Sequence, residues 1–191
     1  MISRREVIVA GHTGDVATIR LGLADTDPIV RGSALGALQR AEALTSADLV
    51  DVLADPDYRV RRRAAELAAT HPEVALLPFL HDADPLVIEM ASWACGEREH
   101  TPPEVLDRLS ELVTDHDDAL VREAAVAALG AIGDERGLPA ILQAVNDKPA
   151  IRRRAVIALA PFDGPEVEAA YAKALKDRDW QVRQAAEDLT D

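Results

Sequence analysis

The chain has 191 residues with 34 acidic against 21 basic side chains. The resulting formal charge of −13 repels phosphate backbones and anionic membranes and speaks against nucleic-acid or membrane partners. Aromatics make up only 3% of a composition rich in Ala, Leu and Val, which suits closely spaced helices better than a sheet. The single cysteine, Cys95, has no internal partner for a disulfide, so no oxidising compartment is required and a cytoplasmic protein is expected.

At the N-terminus, Arg4 and Arg5 precede an apolar run, Val7 to Ala10, that Gly11 to Asp15 ends far short of a signal-peptide core or a membrane span. Residues 2–10 read as a short cap helix inside a cap segment 1–14. From residue 15 onward the chain alternates two kinds of helix, A and B. The A helices are expected over 15–24, 46–54, 72–80, 102–114, 135–145 and 165–175. Thr45 with Asp48 and Thr101 with Glu104 have the spacing of capping boxes at two of their starts. The B helices are expected over 28–41, 57–70, 85–96, 119–131, 149–160 and 180–190.

Each B helix opens on the same signal. An aspartate (Asp27, Asp57, Asp84, Asp118, Asp179) stands three residues before a branched apolar residue, with proline after it at Pro28 and Pro85 and proline again at Pro149. Aspartate accepts from the free amides of a first turn, and proline there has no N–H to leave unpaired. Lys148 breaks the aspartate series. The branched residues Val30, Val60, Val87, Val121, Ile151 and Val182 recur at intervals near 30 residues, the mark of stacked repeats in which each unit buries its apolar face against its neighbours. The expected fold is all-α: a single domain, 1–191, forming a right-handed α-solenoid of about six antiparallel helix pairs.

Counting the branched residue as zero and turning about 100° per residue, stations +4, +7 and +8 share its side of the helix. Station +4 is alanine in every repeat: Ala34, Ala64, Ala91, Ala125, Ala155 and Ala186. Cys95 falls at +8, a core position rather than that of a nucleophile. Stations +2, +6 and +9 point the other way.

These paired helices, with aspartate in the turn, Val-Arg at the start of B and a small residue four positions on, resemble HEAT repeats, in particular the short repeats of phycobilisome lyases. The resemblance covers nearly the whole chain from about residue 15. It implies that charge pairs such as Asp25 with Arg31, Asp55 with Arg61 and Asp177 with Arg183 form a ladder between repeats. That ladder is expected to be weakest through the third and fourth repeats, where Ile88 replaces arginine and His116 and Asn146 replace the outer aspartate.

The resemblance also implies that ligands bind on the inner, concave face presented by the B helices. The candidate binding residues there are Arg62, Glu66, Glu89, Trp93, Glu123, Arg153 and Ile157, a mixed-charge strip with two large apolar groups. Trp93 is either an aromatic anchor for a partner or a core residue folded onto Met90 or the neighbouring repeat. The arginine runs 61–63 and 152–154 leave Arg62, Arg63, Arg153 and Arg154 to face solvent or an acidic protein segment. His71, His81, His100 and His116 lack metal-ligand spacing, and serine-hydrolase, phosphate-loop and dinucleotide motifs are absent, so no catalytic residue, metal or cofactor is assigned. The expected function is a non-enzymatic, monomeric interaction scaffold for a protein or peptide. The alternatives suggested by repeat type are a phycobilin-lyase-like chromophore-handling subunit and a HEAT-like alkylpurine DNA glycosylase, the latter requiring a basic groove.

Overall fold

In the computed structural model, which describes residues 2–190, all regular structure is helical. The residues form two compact units, Met1–Ala91 and Ser92–Asp191. The first contains α1 (Arg4–Thr13), α2 (Val16–Leu23), α3 (Pro28–Arg40), α4 (Ser46–Asp51), α5 (Tyr58–Ala68), α6 (Leu77–Leu80) and the start of α7 (Pro85–Gly96). The second contains α8 (Pro103–Asp115), α9 (Ala119–Ile132), α10 (Leu138–Ala144), α11 (Pro149–Ala158), α12 (Pro165–Ala174) and α13 (Trp180–Thr190). The B helices α3, α5, α7, α9, α11 and α13 fall where the aspartate signal places them. Asp27, Asp57 and Asp118 each cap with a side-chain oxygen that accepts from the amide two residues on, and Asp84 and Asp179 accept in the same way from Leu86 and Gln181.

The A helices depart further from expectation. Residues 72–76 are turn and α6 is a single short turn; Pro78, interior to the expected helix, can neither donate there nor leave room for the preceding turn, and instead stands in the first turn of α6. Residues 46–54 and 135–144 each divide into an α and a 3-10 piece. Thr45 and Asp48 form the expected capping box, but Thr101 and Glu104 do not: α8 starts one residue later, with Pro102 as its N-cap and no side-chain bond. The N-terminal cap helix lies within the expected segment 1–14 but starts and ends later than 2–10. α1 runs to Thr13 with its own Ser3–Glu6 capping box and ends on Gly14, in the left-handed conformation that suits glycine. It packs against α3 as though it were the B helix of a preceding repeat.

Stations 0 and +4 of the B helices are all buried, the alanines at +4 completely so. Station +5 is buried as well, at Leu35, Ala65, Ser92, Val126 and Val156. The apolar arc is thus wider than the sequence wheel assigned, because a B helix is covered by its own A helix as well as by its neighbours. Station +9 is also corrected. It belongs to the seam between consecutive B helices and not to a ligand face. A Cβ on Gly130 would lie 2.6 Å from the backbone of Ala158, one on Gly96 would lie 3.1 Å from Ala131 Cβ, and one on Gly11 of α1 would lie 2.8 Å from Ala37 Cβ.

The arginine ladder forms with a consistent geometry. Arg31 grips Asp55, Arg61 grips Asp82, Arg122 grips Asp147 and Arg152 grips Asp177, each by two hydrogen bonds of 2.7–3.1 Å. A third bond from each guanidinium goes to a carbonyl of its own turn, such as Asp25 O, Asp55 O, His116 O and Asp147 O. The ladder lapses at Ile88, as expected. It does not weaken at the fourth repeat: Asp147, not Asn146, is the acceptor for Arg122, because the turn shifts the outer carboxylate by one residue. In the fourth turn the His116 ring nitrogen takes the place of the outer aspartate, accepting from the amide of Asp118.

Two outcomes follow from this packing. Gly130→Ala should lower the urea midpoint, by about 1–3 kcal/mol of overpacking against Ala158, whereas Gly32→Ala, whose Cβ would meet nothing within 4 Å, should raise it by about 0.5–1 kcal/mol through helix propensity. The second concerns the ladder. Asp147 and Asp177 are held below the usual carboxylate range by their arginine hydrogen bonds, against a smaller opposing effect of burial. Depressed folded-state pKa values mean stabilisation that is complete above the unfolded carboxylate value of about 4 and lost as pH falls below it. Urea midpoints measured across that range should fall in acid for the native chain and fall less for Asp147→Asn. Arg152→Met, which removes three bonds from an arginine 7% exposed, should cost about 1.5–3 kcal/mol at neutral pH.

Candidate functional site

The B-helix stations +2 and +6 remain open to solvent in both units. In the first unit, Arg62 and Glu66 of α5 and Glu89 of α7 are half-buried, and their charges are paired locally: Arg62 with Glu89 at 3.6 Å and Arg63 with Glu66 at 2.7 Å. In the second unit, Glu123 of α9 pairs with Arg154 of α11 at 3.8 Å. The arginine runs therefore spend most of their charge inside the fold: Arg61 and Arg152 in the ladder, Arg62, Arg63 and Arg154 on neighbouring glutamates. Arg153 makes no ion pair or hydrogen bond among the described residues.

Trp93 is 45% exposed and Ile157 is 42% exposed. Both occupy station +6, on α7 and α11, with the small Ala127 at the same station of α9. The second unit thus carries two large apolar groups and one free cation, Arg153, on its B-helix stations. The first carries a self-neutralised carboxylate–guanidinium array.

Cys95 is buried, and burial pushes its thiol up to about 12, which removes it as a nucleophile at neutral pH. His71 lies between Gln39 and Glu73, with ring nitrogens 3.0 and 3.4 Å from their oxygens. Among the described residues, no group of three or more His, Cys, Asp or Glu side chains is placed to hold a metal ion, and no helix is long and apolar enough to cross a membrane.

One concavity escaped the sequence reading. Between α1, α3 and α5 a groove of about 430 Å³ is floored by Gly32 and Gly36 of α3 and walled by Ile8, Pro28 and Ile29. Arg4, Arg40, Arg59 and Arg63 line it, and no aspartate or glutamate does. Arg63 lies across Gly36, where a Cβ would stand 2.6 Å from its guanidinium, while Gly32 opens onto empty space. Stations +2 and +6 of α3 are the only pair among the B helices in which both residues are glycine, and that pair was the available signal.

Helix pairs repeated around an arginine ladder define the class: this is an α-solenoid repeat protein. Residues 73–160 match the family model of HEAT repeats, and this stretch of the chain is a run of HEAT repeats. No curated protein matches the sequence. Among solved structures, the Escherichia coli protein YibA superposes with a TM-score of 0.65 at 17% identity, over 97% of this chain and 73% of its own. A designed armadillo repeat protein in complex with the peptide (KR)4 gives 0.61 at 20% identity, over 91% and 97%. Human deoxyhypusine hydroxylase gives 0.51 at 20% identity, over 97% and 77%. Likeness at these identities establishes the fold and nothing about activity.

Proposed function

We propose that this chain is a non-enzymatic scaffold that binds a protein or peptide partner across its B-helix stations. The observation that carries the reading is the exposure of Trp93 and Ile157 at a station whose surroundings on the same helices, from Ala91 to Cys95 and from Ala155 to Leu159, are buried. A tryptophan held half in water by a rigid helix loses little conformational freedom on binding and offers a large area to cover, the attributes of an interface anchor. Arg153, uncommitted to any carboxylate of the fold, stands one helical turn before Ile157 on α11 and supplies a directional contact there. The peptide-bound designed armadillo protein supports the reading by analogy of fold, since that protein is a peptide complex on a comparable helical array.

The test is a peptide-display selection on the immobilised chain, followed by titration of the selected peptides against variants. Trp93→Ala should weaken binding by at least about 2 kcal/mol, the hot-spot threshold, while moving the urea midpoint by less than about 1 kcal/mol. A loss of about 3–5 kcal/mol of stability, as for a core aromatic, with peptide affinity retained would reject Trp93 as the anchor.

A further inference from the structure

We propose that the groove between α1, α3 and α5 is a binding site for an acidic peptide segment whose carboxylates alternate with aliphatic side chains. The proposal rests on the scaffold reading in that it names a partner chemistry, but its site lies in the first unit, apart from Trp93 and Ile157.

Charge comes first. The chain carries 34 acidic residues against 21 basic ones, yet the groove gathers four arginines and no carboxylate among its lining residues. Two of the four are already matched outside the lining: Arg59 with Asp57 at 2.7 Å, a pair that holds Asp57 down at about 2, and Arg63 with Glu66 at 2.7 Å. Arg4 reaches only the neutral Ser33 hydroxyl. Arg40 has no hydrogen bond or ion pair among the described residues. Two cationic charges are thus left without a carboxylate, enough for one or two carboxylates of a ligand. A protein that grips duplex DNA neutralises about 6–10 phosphates, and two charges on a chain of net −13 do not supply that.

Shape and polarity complete the match. The groove is within the range of about 300–1,000 Å³ that holds small ligands or a few side chains. Its wall is apolar at Ile8 and Ile29, the latter 46% exposed, so a purely anionic ligand would leave that surface wet. An extended segment with aliphatic and acidic residues in alternation sets its apolar side chains on the isoleucines and its carboxylates on Arg4 and Arg40. Guanidinium suits the role because it takes a carboxylate with two parallel hydrogen bonds. The glycine floor matters in its own right: any side chain at position 32 would project into the space the ligand occupies.

Fluorescence anisotropy of a labelled peptide of alternating glutamate and leucine, titrated with the full chain, tests the site. The native chain should bind it, with affinity falling as salt rises, and should bind a matched lysine–leucine peptide and a short DNA duplex far more weakly. Arg4→Gln combined with Arg40→Gln should weaken binding at least about tenfold, or about 1.4 kcal/mol. Gly32→Leu should do the same by filling the groove. Since its Cβ meets nothing within 4 Å and leucine favours the helix over glycine, it should keep the native circular dichroism and a melting temperature no lower than that of the native chain. Trp93→Ala should leave this peptide's affinity unchanged. The proposal is overturned if both groove variants bind as the native chain does, if the basic peptide or the duplex binds as tightly, or if the native chain does not bind the acidic peptide. Binding lost in Trp93→Ala but kept in the groove variants would overturn the groove and leave the scaffold reading standing.

Discussion

Consecutive B helices approach so closely that their contacts have no room for a larger side chain. Ala34, Ala64, Ala91, Ala125, Ala155 and Ala186 are without exposed surface, and methyl groups added at Gly11 or Gly130 would meet the next helix inside 3 Å. Much else follows from this spacing. It fixes stations 0 and +4, and in α3 to α11 also +5, in the interior and turns +2 and +6 outward. Where +2 and +6 carry side chains, those side chains form the surface; where both are glycine, in α3, the surface sinks into a groove.

The arginine ladder works at the turns where this packing begins. Each guanidinium satisfies a carbonyl of its own turn and a carboxylate of the next, and each of those carboxylates also accepts a backbone amide nearby, as Asp55 does from Asp57, Asp82 from Asp84 and Asp177 from Asp179. The aspartate therefore shapes its own turn while anchoring its neighbour's arginine. For Asp55 and Asp82 burial is the largest single influence and favours the neutral acid, but the arginine hydrogen bond, the backbone amide two residues on and the arginine charge together outweigh it and keep both carboxylates below their usual range. Desolvation is tolerated because the pair is bidentate and the remaining donor is also matched. Ile88 stands at the one ladder station filled by an apolar residue and is buried there.

Elsewhere the surface cancels its own charge. Arg62, Arg63 and Arg154 point to the face where a partner would sit, yet each has a glutamate of the fold within 3.8 Å. Such half-exposed pairs add little stability, but they withdraw cations that a count of residues would credit to binding. At the two candidate sites the cations without a carboxylate partner are Arg153, on the helix that carries the exposed Ile157, and Arg4 and Arg40 around the glycine-floored groove.

The sequence by itself determined the repeat, the B-helix starts and the alanine seam, because those rest on local chemistry: aspartate capping an adjacent amide, proline at a first turn, and a period that returns every 30 residues or so. It also put Trp93 and Ile157 at an outward helical phase, but whether Trp93 folds back onto the core was decided only by the tertiary structure, which leaves it 45% exposed. The A helices were less legible; proline and 3-10 turns broke them where packing, not propensity, sets the path. Only the tertiary structure decided which aspartate each arginine grips, moving the fourth contact from Asn146 to Asp147, and which arginines were spent on neighbours 21 to 31 residues away. The groove, too, exists only through tertiary contact, for Arg4, Arg40 and Arg63 are far apart in sequence and meet because α1 packs on α3 as a further B helix would. A linear pattern records which face a residue takes; what stands opposite that face depends on how the helices stack.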